Sequence, residues 1–163
     1  YTGMSFRVGI LPLMKQESLF RRFDLKQAWN SPANRSLSDT RLKVYTAPFE
    51  EEASVLTPYR VFVGGGALFN ENERLVRLTD CSDGTSNTIM VAHATEQVPW
   101  AAPRELPYSP DAPLPRLGHP GTAGGYNVLM ADGSVRFIRN TVPERTLRAM
   151  ITRAGGEIVT DDF

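Results

Sequence analysis

Three features of the sequence predict an α+β fold: a helix-period apolar stripe near the N-terminus, two β-type runs joined by Asp132-Gly133, and a Pro-rich stretch over residues 98–120. Phe6, Ile10, Leu13 and Met14 fall at i, i+4, i+7 and i+8, one face of a 3.6-residue repeat. Asp-Gly between β-type runs is a strong short-range hairpin signal. Together these predict N-terminal helical segments packed on an antiparallel β-sheet, with a long Pro-rich loop over it. The 163 residues suit a single domain, read as spanning 1–163.

Taken in order, residues 5–23 read as helical, with Pro12 kinking or splitting the run. Leu19, Phe20 and Phe23 then point inward, while Lys15, Glu17, Arg21 and Arg22 face water. The segment from Trp29 to Asn34 reads as a turn, where Ser31 caps a short helix with Pro32 at its first position. Glu50, Glu51 and Glu52, between Pro48 and Pro58, read as a solvated loop because adjacent like charges stay hydrated.

Residues 59–63 alternate and carry branched and aromatic side chains, so they predict a strand. Gly64, Gly65 and Gly66 end it as a turn. No Lys-Ser/Thr pair or clear helix follows, so phosphate cradling is not indicated. Residues 88–92 read as a buried strand. Prolines at 99, 103, 107, 110, 113, 115 and 120 fix φ and remove donors, and Trp100, Leu106, Tyr108, Leu114 and Leu117 anchor that loop.

Residues 127–131 and 134–138 form the predicted hairpin through a type I′ turn, with Val128 and Met130 on one face and Leu129 on the other. Residues 143–152 read as a closing helix with Leu147, Met150 and Ile151 as its apolar stripe, ended by Gly155-Gly156. Residues 157–160 add a terminal edge strand.

Lys plus Arg balance Asp plus Glu at 18 each, a formal net charge of zero. This excludes a general nucleic-acid binder, which needs a basic excess, and argues against coating of anionic membranes. It leaves self-association open. Cys81 is the one cysteine, so no intrachain disulfide forms; it reads as a small core or turn residue. No apolar run reaches the ~20 residues of a membrane span. The chain begins at Tyr1 without Met and reads as a piece of a longer protein.

Three stretches carry a family resemblance. Asp83-Gly84-Thr85-Ser86-Asn87-Thr88, then Val98-Pro99-Trp100 with its Pro-rich follower, and Gly125-Tyr126-Asn127-Val128-Leu129-Met130-Ala131-Asp132-Gly133-Ser134-Val135-Arg136-Phe137-Ile138 resemble the DUF1559 family, abundant in planctomycetes. Phe6-Arg7-Val8-Gly9-Ile10-Leu11-Pro12 and Trp29-Asn30-Ser31-Pro32 resemble its early segments, so the similarity covers about residues 5–138. It implies a pilin-like sheet fed by a prepilin-type hydrophobic helix, similar to the pseudopilins of type II secretion. That helix is absent from these residues and would be the chain's only link to a membrane. The resemblance further implies an extracytoplasmic place, in the periplasm or at the cell surface, and protein partners or self-association. The sequence departs from the family in two places: residues 122–124 resemble an insertion between His119 and Asp132, and His93 stands where many relatives have Glu.

The expected function is therefore a non-catalytic pilin-like structural, surface-display or secretion-associated module. The alternative is an extracytoplasmic module for glycan or peptide, with Trp100, Tyr108 and Tyr126 as stacking faces. Asp80, Asp83, Ser86 and Asn87 place oxygen donors in one tight loop, a candidate calcium site, against a reading in which they bond nearby backbone. A metal-dependent hydrolase built on His93, Glu96, His119 and Asp132 is the less favoured alternative. His93 and Glu96 are three apart on a strand and so face opposite ways, and no HExxH motif or cysteine pair is present. Ser86, Ser109 and Ser134 lie in no nucleophile elbow, so a serine hydrolase is not indicated.

Overall fold

The computed structural model describes residues 3–48, 54–70, 76–122, 124–157 and 159. The chain is a mixed α/β protein with few, short helices and a four-stranded antiparallel sheet whose strands lie in the order Leu56–Arg60 (β1), Ile89–Pro99 (β3), Gly125–Met130 (β5) and Val135–Arg139 (β6). It divides into two compact units, Tyr1–Pro58 with Gln97–Arg104, and Tyr59–Glu96 with Glu105–Phe163. Strands β1 (Leu56–Arg60) and β3 (Ile89–Pro99) each begin in one unit and end in the other.

In the first unit the expected helical run is three pieces: α1 (Phe6–Gly9), a 3-10 turn at Leu11–Met14, and α2 (Glu17–Phe20). Ser5 caps α1 by accepting from the Arg7 amide at 3.3 Å. Pro12 lies at the start of the 3-10 turn, and Lys15, at φ 59°, takes the left-handed conformation that stops it. These breaks shift the helical phase, so the single stripe does not hold: Leu13 is 84% exposed, while Val8 and Leu11 are fully buried. The second half follows expectation, with Leu19 and Phe23 buried and Lys15, Glu17, Arg21 and Arg22 exposed.

The short helix near Trp29 is α3 (Arg35–Ser38), which starts after Asn34, not at Pro32. Asn34 is fully buried. Its side-chain amide donates to the carbonyls of Asp24, Gln27 and Ala28, and its oxygen accepts from the Asp24 amide at 2.9 Å. In the same unit Met4, Val8, Leu11, Leu37, Leu42 and Trp100 belong to the first core. Arg7, 1% exposed, donates to the carbonyls of Trp100 at 2.8 Å and Ala102 at 3.0 Å, so its buried charge is met by backbone dipoles. The acidic loop expected at 50–52 lies outside the described residues.

The strand expected over 59–63 breaks at Val61 into β1 and β2 (Phe62–Val63). In the second unit β2 pairs in parallel with β4 (Leu106–Pro107), which interrupts the Pro-rich stretch. The buried strand expected at 88–92 belongs to the longer β3, which pairs antiparallel with β5 (Gly125–Met130) after an irregularity between Ile89 and Val91. β5 pairs with β6 (Val135–Arg139) in the register Leu129↔Val135, Asn127↔Phe137 and Gly125↔Arg139.

The hairpin is present, but its turn is not type I′. The Gly133 amide donates to the Met130 carbonyl, the Met130 amide donates to the Ser134 carbonyl, and Gly133 alone has positive φ, at 87°. This is a type I turn closed by a left-handed glycine, the three-residue hairpin loop. Asp132 keeps a negative φ because its carboxylate accepts from the Ser134 amide at 2.8 Å and hydroxyl at 2.7 Å.

The inward sheet residues Ala92, Ala94, Tyr126, Val128, Met130 and Ile138 build the second core with Leu147, Met150 and Ile151 of α4 (Glu144–Ile151). α4 ends before Gly155-Gly156. The Arg153 amide donates to the Gly66 carbonyl and Thr152 bridges Ala67, which draws the chain out of the helix. The edge strand expected over 157–160 includes residues 158 and 160, outside the described set.

Candidate functional site

The loop around Asp83 holds no inward-facing ring of oxygens. Asp83 accepts through both carboxylate oxygens, from the Gly155 amide at 2.7 Å and the Gly156 amide at 3.0 Å. Asn87 donates to the Asp83 carbonyl at 2.9 Å, and Thr88 to the Gly84 carbonyl at 3.1 Å. Asp80 turns away to accept from the Arg77 amide at 2.9 Å, closing the first turn of the Leu78–Asp80 3-10 segment. Asp80, Asp83 and Asn87 thus serve the backbone, and Ser86 is half-buried beside Gly84. Among the described residues no three His, Cys, Asp or Glu side chains are grouped as metal ligands.

The three aromatic residues are not gathered at one surface. Trp100 is 1% exposed and belongs to the first core. Its ring stacks on Tyr45 at 5.6 Å between centroids, meets the Phe23 ring edge-on at 6.1 Å, and its indole N–H donates to the Thr40 carbonyl at 2.9 Å. These contacts leave no face for a ligand, so stacking by Trp100 is replaced by a core role. Tyr108 and Tyr126 are buried in the second unit. Tyr108 meets Phe62 edge-on, with the Arg148 guanidinium 6.0 Å from its ring centre.

Arg148 is a staple that sequence reading missed. It donates to the carbonyls of Ser109, Pro110 and Ala112 and to the carboxylate of Glu144. The Glu144–Arg148 spacing on a helix was the available signal; the carbonyls lie 36–39 residues away.

Tyr45 and Tyr126 make a contrast. Burial pushes each phenol up to about 12, in Tyr45 against the opposing pull of the Arg7 charge. The Tyr45 hydroxyl donates to the Arg7 carbonyl at 2.7 Å. The Tyr126 hydroxyl has no hydrogen-bond partner among the described residues. Tyr126 is a wall of a cleft of about 230 Å³, with Leu114, Leu117, Val142, Leu147, Arg139 and Asn140 among the others. A second cleft, of about 330 Å³, is lined by Arg60, Thr95, Glu96, Leu106, Pro115 and Arg116. There Arg60 is 6% exposed and donates to the Glu105 carbonyl at 2.9 Å, with the Glu96 carboxylate at 3.4 Å.

His93 and Glu96 alternate across β3, as expected, and His93 packs against the Tyr59 ring at 5.7 Å. The His119 ring nitrogen Nδ1 accepts from the Gly121 amide at 3.0 Å. Hydrogen bonds from the Ser134 hydroxyl and amide hold the Asp132 carboxyl below the usual carboxylate range. Burial pushes the Cys81 thiol up, so its thiolate is disfavoured as a nucleophile.

The outward face of the β5–β6 ribbon carries exposed apolar side chains. Val135 is 67% exposed and Phe137 48%, on alternate positions of an edge strand, with Leu129 and Asn127 opposite them. Gly125 makes room for the Phe137 ring: a Cβ there meets the Ile138 carbonyl and Phe137 ring carbons at 2.7 and 2.8 Å. No family model, curated protein or solved structure matches the chain.

Proposed function

We propose that the chain is a non-catalytic, pilin-like assembly module, the head of a surface-display or secretion-associated subunit, that works by pairing with a second copy of itself. The carrying observation is the β6 edge with its two exposed apolar side chains, Val135 and Phe137. An open edge bearing apolar groups is an association hazard in a soluble domain unless it is used.

The β6 sequence also suits self-pairing. Two antiparallel copies centred on Phe137 set ring against ring, Val135 against Arg139 and Arg136 against Ile138. No arginine then faces another, and a two-fold contact of this kind is self-complementary. The zero net charge leaves no long-range repulsion between copies.

The engagement of Asp80, Asp83 and Asp132 with backbone groups supports a scaffold in place of a reaction centre. The resemblance of residues 83–88, 98–100 and 125–138 to DUF1559 proteins supports an extracytoplasmic place and a prepilin helix in the parent chain.

The experiment is sedimentation equilibrium across a concentration series. The wild type forms dimers, and Phe137→Glu, which sets two carboxylates face to face, returns it to monomer with unchanged circular dichroism. A wild type that stays monomeric at every concentration, or a Phe137→Glu protein that still dimerises, overturns the reading.

A further inference from the structure

We propose that the cleft beside Tyr126 is a second binding site, one that takes the C-terminal residue of a peptide, its apolar side chain inside and its carboxylate at the rim. The inference goes beyond the pairing of β6 and does not rest on it.

The cleft lies wholly within the second unit. Leu114, Leu117 and Val142 pack on the core yet remain partly exposed, so they form an apolar floor that water wets. At about 230 Å³ the space lies below the roughly 300–1,000 Å³ of sites that enclose a whole small molecule. It suits one side chain with the rest of its ligand outside.

The polar groups choose what that side chain is attached to. Tyr126 is more than nine-tenths buried, and its hydroxyl has no partner among the described residues. That oxygen is not among the fully enclosed polar atoms, so it meets water beside the cleft and is open to a ligand in the water's place. Arg139, on the rim and exposed, makes no ion pair among the described residues. The other rim charge, Glu144, is already held by Arg148 at 2.6 Å. α4 also begins at this rim, and Pro143 supplies no capping side chain to its first amides. The unmatched charge at the mouth is therefore positive, and it complements a carboxylate. Arg139 offers the planar fork that binds one, with Asn140 beside it. Capture of a terminal carboxylate beside a side-chain pocket is an established mode of peptide recognition.

The test is titration of the isotope-labelled protein with Gly-Gly-Gly-Phe, with the same peptide as its C-terminal amide, and with N-acetyl-phenylalanine, followed by amide chemical shifts. The free-acid peptide is expected to shift residues 114–117, 126 and 139–147, and the amide to bind at least about tenfold more weakly. Arg139→Gln is expected to weaken the free acid by a similar factor. Tyr126→Phe is expected to weaken it while leaving the melting temperature equal or higher, because that hydroxyl holds nothing in the free protein. If N-acetyl-phenylalanine binds as tightly as the peptide, the terminal residue alone is the ligand. Tighter binding by the peptide assigns the preceding residues a part. No shifts with any probe, equal binding of acid and amide, or a Tyr126→Phe variant of unchanged affinity overturns the proposal.

Discussion

Asn34 shows how one residue organises a region that has little regular structure. Its amide and oxygen meet four backbone groups, from Asp24, Gln27 and Ala28, with no exposure to water. Asn34→Leu strands these groups, and a buried polar group left without its partner costs about 1–3 kcal/mol. The expected loss is about 3 kcal/mol, read as a lower urea midpoint at unchanged slope. A loss under about 1 kcal/mol would show that water takes over the bonds. Nothing in the sequence marked this residue beyond a turn. Its partners lie six to ten positions back and meet it only once the chain folds over. Trp100 misled for a related reason: an aromatic residue in a Pro-rich segment suits a ligand face and a core anchor equally, and only its neighbours Tyr45 and Phe23 decide. Tyr126 was legible as a candidate by type, but its empty hydroxyl was not.

Elements were readable where the signal is local. The β5–β6 hairpin and its inward and outward faces follow from alternation about Asp132-Gly133. The turn type did not follow, because Asp132 satisfies Ser134 instead of adopting positive φ. α4 runs where its apolar stripe set it, from the Pro143 cap to the Thr152 cap, but Gly66 and Ala67, which engage residues 152 and 153, stop it before Gly155-Gly156 can. Gly155 and Gly156 are clasped by Asp83, 72 and 73 residues away. Asp83→Ala is expected to speed hydrogen exchange at the Gly155 and Gly156 amides and to cost about 1–2 kcal/mol. Added calcium is expected to leave the melting temperature of the wild type unchanged, since those oxygens are occupied. A calcium-dependent rise in melting temperature, lost in Asp83→Ala, would restore the cation site.

At the scale of the molecule, length and composition suit one domain spanning 1–163, within which the chain packs as two compact units, each with its own core. Both tryptophans, Trp29 and Trp100, fall in the first unit, so their fluorescence reports that unit alone. The sheet signal in far-ultraviolet circular dichroism comes largely from strands of the second. Because β1 and β3 each run through both, the two signals are expected to change together in urea, within experimental error of one midpoint. Separate midpoints would show that each unit folds as its own cooperative body.

The bare α-carbon of Gly125 has a reach beyond this chain. A methyl group at that point collides with a main-chain oxygen, not merely with a pliant side chain, so no rotamer change relieves it. Any distant cousin that retains this ribbon with a ring lying across it must therefore spell glycine there, however far the rest has drifted. That single steric veto, paired with an aromatic residue twelve places on, offers a way to recognise kin whose overall likeness has faded.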